Sequence, residues 1–257
     1  DTCAGAIALS GQSGTRTDPF DGARRDVSGC EDGAGPDVFY SITVSEPSLL
    51  YVDTFGSSFD TQISIRSSCT GDPLVCEDDD CVTLQDQAVA ILSSAGTYYV
   101  VVHAFGRDTR TGTIRLRWQT LPSGSGMPVR ITGSMPITGM TSGSGTVSGS
   151  CGGGIAPEVL HYFTLCPGQM PTITADSCAS EFDTVLYARS GDGGMELACN
   201  DDRPNPPDSP ACTMGSGMGR YTSYITFTAT GPGLFGIYVD GFGGESGNYT
   251  LRVSGLP

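Results

Sequence analysis

The chain has 257 residues, of which 28 are acidic and 13 are basic, so its formal net charge at pH 7 is −15. Every basic residue is arginine, since the sequence contains no lysine. This balance argues against a nucleic-acid partner, because the neutralisation of phosphates requires a basic face. It disfavours anionic lipid surfaces for the same reason. An excess of carboxylates is typical of proteins that bind divalent cations or that use charge for solubility.

Composition and cysteine content predict a secreted all-β protein. The 37 glycines and 16 prolines interrupt the chain at short intervals, which favours turn-rich β structure over helix. No apolar run approaches the ~20 residues that a helix needs to span a bilayer. None of the ten cysteines forms a CxxC pair, so we expect a disulfide framework and an oxidising compartment. Because the chain starts at Asp1, we also expect that a secretory signal peptide has been removed.

Short runs of β-branched and aromatic residues fill the first half of the chain, with Gly, Pro and Ser between them. This spacing of runs and turn residues indicates a β-sandwich. A polar stretch separates the first run from Cys30. The predicted strands of this half comprise residues 6–9, 37–44, 49–54, 59–66, 74–79, 88–92, 96–102 and 112–118.

A linker is predicted at residues 119–128, QTLPSGSGMP, where the Pro, Gly and Ser content rises. We therefore expect two domains, at residues 1–120 and 121–257, each large enough to bury its own core. The fold class that follows is all-β, with two tandem antiparallel sandwiches of jelly-roll-like form that are stapled by disulfides. Predicted strands of the second half comprise residues 129–131, 161–164, 172–175, 182–187, 196–199, 223–228, 233–239 and 247–253.

The segment from Val129 to Ser150 is rich in Gly, Ser and Thr and allows two interpretations. It is either a disordered spacer or an irregular edge strand. The second interpretation is preferred, because Cys151 precedes Glu158 by the same number of residues as Cys30 precedes Asp37.

A hairpin occurs twice in the chain, which makes the sequence a tandem repeat. Residues 182–202, FDTVLYARSGDGGMELACNDD, predict two strands joined by a Gly-rich turn and followed by an acidic cluster. Residues 59–79 form a degenerate copy, with Asp60 placed 123 positions before Asp183.

The acidic ends of the two hairpins predict calcium binding, because Ca²⁺ takes six to eight oxygen ligands in proteins. His103 stands where the second half has Asp240, and a hard cation does not select imidazole. Stronger binding is therefore expected in the second half. The alternative is that these residues serve as turn residues whose side chains hydrogen-bond the backbone. The candidate ligands are Asp183, Asn200, Asp201, Asp202 and Asp240 in the second half and Asp60, Glu77, Asp78 and Asp79 in the first.

Cysteine positions suggest a disulfide framework without fixing it. Each half holds five cysteines, so at least one must pair across the halves, pair with another molecule or stay free. Cys69 competes for Cys76, and neither Cys69 nor Cys151 has an obvious partner. The expected pairs are Cys3 with Cys30, Cys76 with Cys81, Cys166 with Cys178, and Cys199 with Cys212.

Residue types that carry catalysis are scarce, and we expect no enzymatic activity. His103 and His161 are the only histidines, and they lie in different repeats among strand residues. A Ser-His-Asp arrangement needs a base fixed beside a nucleophile, and the Ser-rich segments contain no nucleophile elbow. Paired carboxylates for glycoside chemistry lack an aromatic platform, since the sole tryptophan, Trp118, ends a predicted strand.

The ordered motifs of each half resemble the bacterial pre-peptidase C-terminal (PPC) domain, here twice and over nearly the whole chain. The second copy carries the better match, in Phe182-Asp183-Thr184, Cys199-Asn200-Asp201-Asp202, Tyr238-Val239-Asp240-Gly241-Phe242 and Ser246-Gly247-Asn248-Tyr249-Thr250-Leu251. This resemblance implies a non-catalytic accessory β-sandwich of exported proteins. Related collagen-binding modules of clostridial collagenases bind calcium and a fibrous substrate.

Together these observations predict a secreted, extracellular, non-catalytic protein with a structural or adhesive role, whose calcium-stabilised sandwiches bind an extracellular protein or polysaccharide polymer at the cell surface. The alternative is a subunit that binds copies of itself and builds a filament or surface layer by strand addition at an irregular edge. A more remote alternative is an accessory fragment of a secreted hydrolase. No membrane span and no nucleic-acid partner are expected.

Overall fold

The computed structural model describes residues 2–28, 30, 34–106, 111–152, 154–204, 209–212 and 221–257. The chain divides into two compact units, Asp1–Leu121 and Pro122–Pro257, here called unit 1 and unit 2. Both are all-β, with only two short 3₁₀ turns, Cys3–Gly5 and Phe242–Gly244, among the described residues. No helix in the described part of the chain is long and apolar enough to cross a membrane.

Unit 1 is a sandwich of a five-stranded and a four-stranded sheet. Strand order is β1-β3-β8-β5-β6 in the larger sheet and β2-β9-β4-β7 in the smaller one. Strand β1 joins β3 in parallel, and the pairs β2–β9, β3–β8, β4–β7, β5–β6 and β5–β8 are antiparallel. The strands are β1 (Ile7–Leu9), β2 (Ser13–Pro19), β3 (Ala34–Val44), β4 (Ser48–Asp53), β5 (Thr61–Arg66), β6 (Pro73–Asp78), β7 (Gln87–Leu92), β8 (Gly96–Phe105) and β9 (Thr113–Pro122).

Unit 2 repeats this topology strand for strand. Its sheets have the orders β10-β12-β17-β14-β15 and β11-β18-β13-β16, and the first strand again joins its neighbour in parallel. The fold-class prediction of two disulfide-stapled sandwiches is confirmed. The strands are β10 (Val129–Arg130), β11 (Ile137–Met140), β12 (Val159–Leu165), β13 (Thr172–Asp176), β14 (Thr184–Ser190), β15 (Glu196–Asn200), β16 (Tyr224–Thr228), β17 (Gly233–Gly241) and β18 (Asn248–Ser254).

Each core lies between the two sheets of its own unit and follows the two-residue period of the strands. In β5, for example, Ile63 and Ile65 belong to the core of unit 1, whereas Gln62, Ser64 and Arg66 lie on the opposite face of the strand. All five side chains are nevertheless buried. The outer face of the larger sheet is therefore shielded from solvent at β5, and the side chains buried there are polar.

Two sequence predictions about irregular segments were wrong in part. The polar stretch before Cys30 contains β2, whose Gly14 lies against the ring of Trp118, where a Cβ atom would clash. The predicted linker at 119–128 begins inside β9, which runs to Pro122, and Leu121 is fully buried. The segment from Val129 to Ser150 is an irregular edge, as preferred from the sequence, and it contributes β10 and β11 to the sheets of unit 2.

The expected disulfide pairing was wrong, although every cysteine named as a candidate is disulfide-bonded. Cys81 and Cys166 do not pair with Cys76 and Cys178, which have other partners. Spacing along the chain misled the prediction, because only Cys76 and Cys199 lie in strands and their partners belong to segments that the fold lays over the sheet. The observed pairs are Cys3–Cys69, Cys30–Cys76, Cys151–Cys199 and Cys178–Cys212.

Candidate functional site

The hairpin β5–β6 of unit 1 brings three of the predicted calcium ligands together. Asp60 directly precedes β5, Asp78 ends β6, and Asp79 follows it. One carboxylate oxygen of each lies within 4.8 Å of the others. Burial and the charges of Asp79 and Asp78 raise the pKa of Asp60 above its ordinary value. The cluster therefore concentrates negative charge that a cation would neutralise.

Buried polar groups lie directly behind this cluster. Gln62 is fully buried, donates from Nε2 to Asp78 Oδ2 at 2.9 Å, and so fixes the orientation of that carboxylate. Asp86 is also fully buried; its Oδ2 accepts from Thr61 Oγ1 at 3.0 Å, and burial raises its pKa to about 8. Oδ1 atoms of Asp60, Asp78 and Asp86 have no hydrogen-bond partner among the described residues. Buried oxygens without a donor are the groups that a cation satisfies best.

The equivalent end of unit 2 also has buried Oδ1 atoms without a hydrogen-bond partner in the described part of the chain, at Asp183 and Asp201, but its neighbouring side chains are used differently. Asp183 precedes β14, and its pKa is raised to about 6 by burial and by the charges of Asp201, Asp202 and Glu245. Glu245, which the sequence did not single out, accepts through Oε2 from Asp183 N at 3.0 Å. Asn200 is used locally, since its Oδ1 accepts from Tyr224 N and its Nδ2 donates to the Asp202 carbonyl.

Three acidic side chains with oxygens within 4.8 Å of one another are found at the hairpin end of unit 1 and, among the described residues, not at that of unit 2. Two further predicted ligands lie outside the clusters. Glu77 is not part of the unit 1 group. Asp240 is 1% exposed. Its pKa is raised by burial and by the negative charge of Glu158, which lies on the outer side of the five-stranded sheet. The structure therefore brings Asp60, Asp78 and Asp79 together and leaves Glu77 and Asp240 apart.

Each unit also places an exposed phenylalanine beside its acidic hairpin end. The backbone N–H of Phe105 donates to the Asp60 carbonyl at 2.9 Å, and that of Phe242 donates to the Asp183 carbonyl at 3.0 Å. Their side chains are 43% and 40% exposed. The same backbone contact therefore brings one exposed phenylalanine next to the aspartate of each hairpin end.

A segment of chain before β3 covers the outer face of the larger sheet in unit 1. Its N–H groups at Asp26 and Val27 donate to Asp37 Oδ2, at 2.9 and 3.1 Å. Its carbonyl at Ser28 accepts from Arg66 Nη2 at 2.6 Å, and the disulfide Cys30–Cys76 fixes its end to β6. We call residues 24–28 with Cys30 the covering segment of unit 1.

Unit 2 repeats every one of these attachments. Thr146 N and Val147 N donate to Glu158 Oε1 at 3.0 and 3.1 Å. The Ser148 carbonyl accepts from Arg189 Nη2 at 2.7 Å, and the disulfide Cys151–Cys199 again ends the segment. Residues 145–152 are the covering segment of unit 2.

Beneath the covering segment of unit 1 lie Ser64, His103 and Asp37, a combination that the sequence did not place together. Ser64 Oγ is 3.2 Å from His103 Nε2, but His103 Nδ1 is 3.8 Å from Asp37 Oδ2, too far for a hydrogen bond. Exposure of all three side chains is 0%. Burial, Arg66 and Arg25 lower the pKa of His103 to about 3. Since the Asp37 carboxylate is engaged by the covering segment, these residues anchor that segment and present no accessible nucleophile.

The second histidine is part of the core of unit 2. His161 Nε2 and the Tyr249 hydroxyl are 3.0 Å apart, and the two rings meet edge to face. Burial lowers the pKa of His161 to about 4. Because both histidines are fully buried, neither can exchange a proton with a bound substrate at the surface.

No protein-family model and no curated protein matches this sequence. Among solved structures, the pre-peptidase C-terminal domain of a collagenase from Bacillus anthracis matches with 16% identity and a TM-score of 0.31, over 49% of this chain and 94% of that one. The CUB1-EGF-CUB2 domains of rat MASP-1 match with 11% identity and a TM-score of 0.25, over 96% and 99%.

A xanthan lyase from Paenibacillus matches with 13% identity and a TM-score of 0.28, over 95% of this chain and 25% of the lyase. These similarities do not establish a family for this chain.

Proposed function

We propose that this chain is a secreted, non-catalytic binding protein of structural or adhesive character, and that unit 1 is stabilised by a calcium ion at the end of its β5–β6 hairpin. The carboxylate cluster of Asp60, Asp78 and Asp79 is the observation that carries the calcium proposal. The disulfide framework, in which no described cysteine is free, supports an oxidising and therefore extracellular location.

Calcium suits the unit 1 cluster better than a softer metal does. The three ligand side chains are carboxylates, and the buried groups behind them, Gln62 and Asp86, also offer oxygens. Hard oxygen ligands favour Ca²⁺ over the transition metals that select imidazole or thiolate. Burial, together with the charges of Asp79 and Asp78, raises the pKa of Asp60, and bound calcium would offset both the desolvation and the repulsion. Mg²⁺ is the less favoured ion, because it requires a rigid octahedral shell and retains most of its waters.

Binding to an extracellular polymer is supported by the repeated pairing of an exposed phenylalanine with an acidic hairpin end. Phe105 and Phe242 make the same backbone contact with the aspartate of their hairpin ends, which gives the chain two similar exposed surfaces. Two weak sites on one chain strengthen the binding of a repetitive polymer through effective concentration. A fibrous protein or a polysaccharide has this repetitive character, whereas a small soluble ligand does not.

Thermal unfolding of the full chain tests the calcium proposal. At a calcium concentration 100 times the dissociation constant, ligand binding adds about 2.7 kcal/mol of stability, so the midpoint should fall when EGTA is added. The double variant Asp60→Asn with Asp78→Asn should lose this response. Asp72→Asn is the matched control, because Asp72 is an exposed carboxylate in the turn of the same hairpin. A wild-type midpoint that EGTA leaves unchanged would refute the proposal.

Co-sedimentation with fibrillar collagen and with cellulose tests the polymer-binding proposal separately. The double variant Phe105→Ala with Phe242→Ala should sediment less than the wild type with whichever polymer retains the chain. Leu74→Ala is the control, since Leu74 is 46% exposed on unit 1 but distant in sequence from both phenylalanines. Equal sedimentation of wild type and double variant would contradict a role for these rings, whatever the calcium result.

A further inference from the structure

The methionines of this chain are confined to unit 2, and the five that the structure describes lie at its surface. All seven lie between residues 127 and 218, and residues 1–121 contain none. Methionine is normally one of the more deeply buried residue types. None of the five described methionines belongs to the core of unit 2. Their exposed fractions are 79% for Met127, 79% for Met135, 60% for Met140, 65% for Met170 and 60% for Met195.

Unit 1 shows that the fold does not need thioethers at these places. Met170 comes two residues before β13, where the equivalent residue before β4 of unit 1 is Glu46. Met195 directly precedes β15, where the residue before β6 is Asp72. Both carboxylates are exposed. The same turns thus carry charge in unit 1 and an exposed thioether in unit 2.

Three of the methionines lie at one end of unit 2, as the strand directions require. β10 runs parallel to β12, so the segment after β10, with Met135, leaves at the same end as the turn after β12, with Met170. β12 and β14 are both antiparallel to β17 and therefore share a direction. The turn after β14, with Met195, lies at that same end. This end of unit 2 is the methionine end.

The methionine thioethers are also the reduced sulfur groups that solvent can reach among the described residues. No described cysteine is free, so disulfide formation has already consumed the thiols. Trp118, the other readily oxidised side chain, is 6% exposed. An oxidant that approaches from solvent therefore meets methionine first, because reactivity of methionine follows exposure.

We propose that the exposed methionines of unit 2 are a site of oxidative modification, where peroxide-class oxidants form methionine sulfoxide while unit 2 remains folded. In the reaction, a lone pair of the thioether sulfur attacks the terminal oxygen of hydrogen peroxide and the O–O bond breaks. The sulfur gains one peroxide oxygen and is oxidised by two electrons, and the other peroxide oxygen leaves as water after proton transfer. Sulfoxide is more polar than the thioether, so the methionine end changes from apolar to polar.

The folded state tolerates this change because the modified groups stay in solvent. Sulfoxides destabilise proteins when they form in a core, where a new polar atom has no partner. At 60% exposure or more, each described thioether of unit 2 can become a sulfoxide without displacing a core residue. Unit 1 has no thioether and is the internal reference for the reaction.

The test is treatment of the full, disulfide-intact chain with hydrogen peroxide, with peptide mass mapping over time. Met127, Met135, Met140, Met170 and Met195 should each gain one oxygen at a rate within tenfold of the rate for the same residue in guanidinium. The thermal midpoint of the oxidised chain should stay within a few degrees of the starting value. The variant Met170→Glu with Met195→Asp, which adopts the residues of unit 1, should take up two fewer oxygens.

Two results would overturn the proposal. One is protection, in which the methionines of the folded chain react more than tenfold more slowly than those of the unfolded chain. The other is loss of the fold of unit 2 when sulfoxide forms, seen as a cooperative increase in hydrogen exchange in β12, β14 and β17. If the variant itself unfolds, Met140→Leu provides a second test, since this replacement keeps the apolar volume and should reduce uptake by one oxygen.

Discussion

The two covering segments are attached to their sheets by the same three kinds of contact but lie over different polar groups. In both units, backbone N–H groups donate to a carboxylate, a carbonyl accepts from an arginine, and a disulfide fixes the end. Beneath them, unit 1 has Ser64 and His103, whereas Tyr187 and Asp240 are at the matching places of β14 and β17.

This difference separates the residues that both units need to hold the covering segment from those that can vary. The attachments need a carboxylate within β3 or directly before β12, an arginine on β5 or β14, and a cysteine on β6 or β15, and these residue types recur in both units. The side chains beneath each covering segment can differ between the units, provided that each buried side chain is neutral or paired with an opposite charge. The same reasoning applies to the hairpin ends, where the acidic sequence recurs but only unit 1 gathers three carboxylates.

Removal of either of the two equivalent disulfides should lower stability most, and by an equal amount in both units. Cys30–Cys76 closes a loop of 46 residues and Cys151–Cys199 one of 48. The chain-entropy estimate for loops of this length is about 4 kcal/mol. Paired Cys→Ser variants of each bridge, compared by hydrogen exchange of the five-stranded sheets, should destabilise their own unit by similar amounts. A loss confined to one unit would show that the two covering segments are not equivalent.

Ionisation of the groups beneath the covering segments should have the next largest effect on stability. The effect should depend on pH in opposite directions in the two units. Burial, with the charge of Glu158 adding to it, raises the pKa of Asp240 from 3.8 to about 7, so ionisation destabilises folded unit 2. This penalty begins as the pH rises above about 4 and is complete above about 7. Asp240→Asn should therefore stabilise unit 2 at pH 8 by on the order of 3 kcal/mol and have little effect at pH 4.

The matching position of unit 1 should respond to acid instead. Burial lowers the pKa of His103 from 6.5 to about 3, so the unfolded state takes up a proton first as the pH falls below 6.5. His103→Gln should lose the contact with Ser64 at pH 7, yet its deficit relative to wild type should shrink toward pH 4. Hydrogen exchange in β8 and in β17, measured at pH 4, 6 and 8, reports the stability of unit 1 and of unit 2 in the same chain. Parallel profiles for the two variants would contradict this comparison.

Arginine replacement should give a smaller and unequal effect. Arg66 is 3% exposed and donates to Ser64 Oγ, the Gly71 carbonyl and the Ser28 carbonyl. Arg189 is more accessible, donates to the Ser148 carbonyl and stacks over Tyr187. Arg66→Met should cost unit 1 about 2–3 kcal/mol, because buried acceptors lose their donor.

Arg189→Met should cost unit 2 only about 1 kcal/mol, since water can reach the exposed Ser148 carbonyl that loses its donor. Denaturant unfolding of the two variants measures both values against wild type. A larger loss for Arg189→Met than for Arg66→Met would contradict the account of the two segments.

Much of the fold could be predicted from the sequence, because strand patterns, glycine turns and the hairpin repeat are local signals. β2 escaped prediction since Ser13–Pro19 has no apolar alternation; its place is set by β9 and by the room that Gly14 leaves for Trp118. Disulfide pairing escaped for a similar reason. Cys3 meets Cys69 and Cys151 meets Cys199 across 66 and 48 residues of sequence, so the pairing depends on the folded structure and not on local spacing.

The sequence predicted that the candidate site is built from acidic side chains, but it did not predict which of them come together. Asp60, Asp78 and Asp79 follow from the FDT motif and the acidic run, and the structure places them together. Asp240 was named because it ends a strand near the same motif, yet it is buried under the covering segment. Glu245 was missed because its contact with Asp183 spans 62 residues and depends on a turn that carries no charge pattern.

Calcium-dependent hydrogen exchange of the full chain tests the central claim most directly, because it reads both hairpins in one experiment. Added Ca²⁺ should slow exchange in β5, β6 and the Asp79–Asp86 loop of unit 1. It should slow β14 and β15 of unit 2 less, and the double variant Asp60→Asn with Asp78→Asn should remove the unit 1 effect. If Ca²⁺ protects β14–β15 alone, or protects neither hairpin, the assignment of a calcium site to unit 1 is wrong.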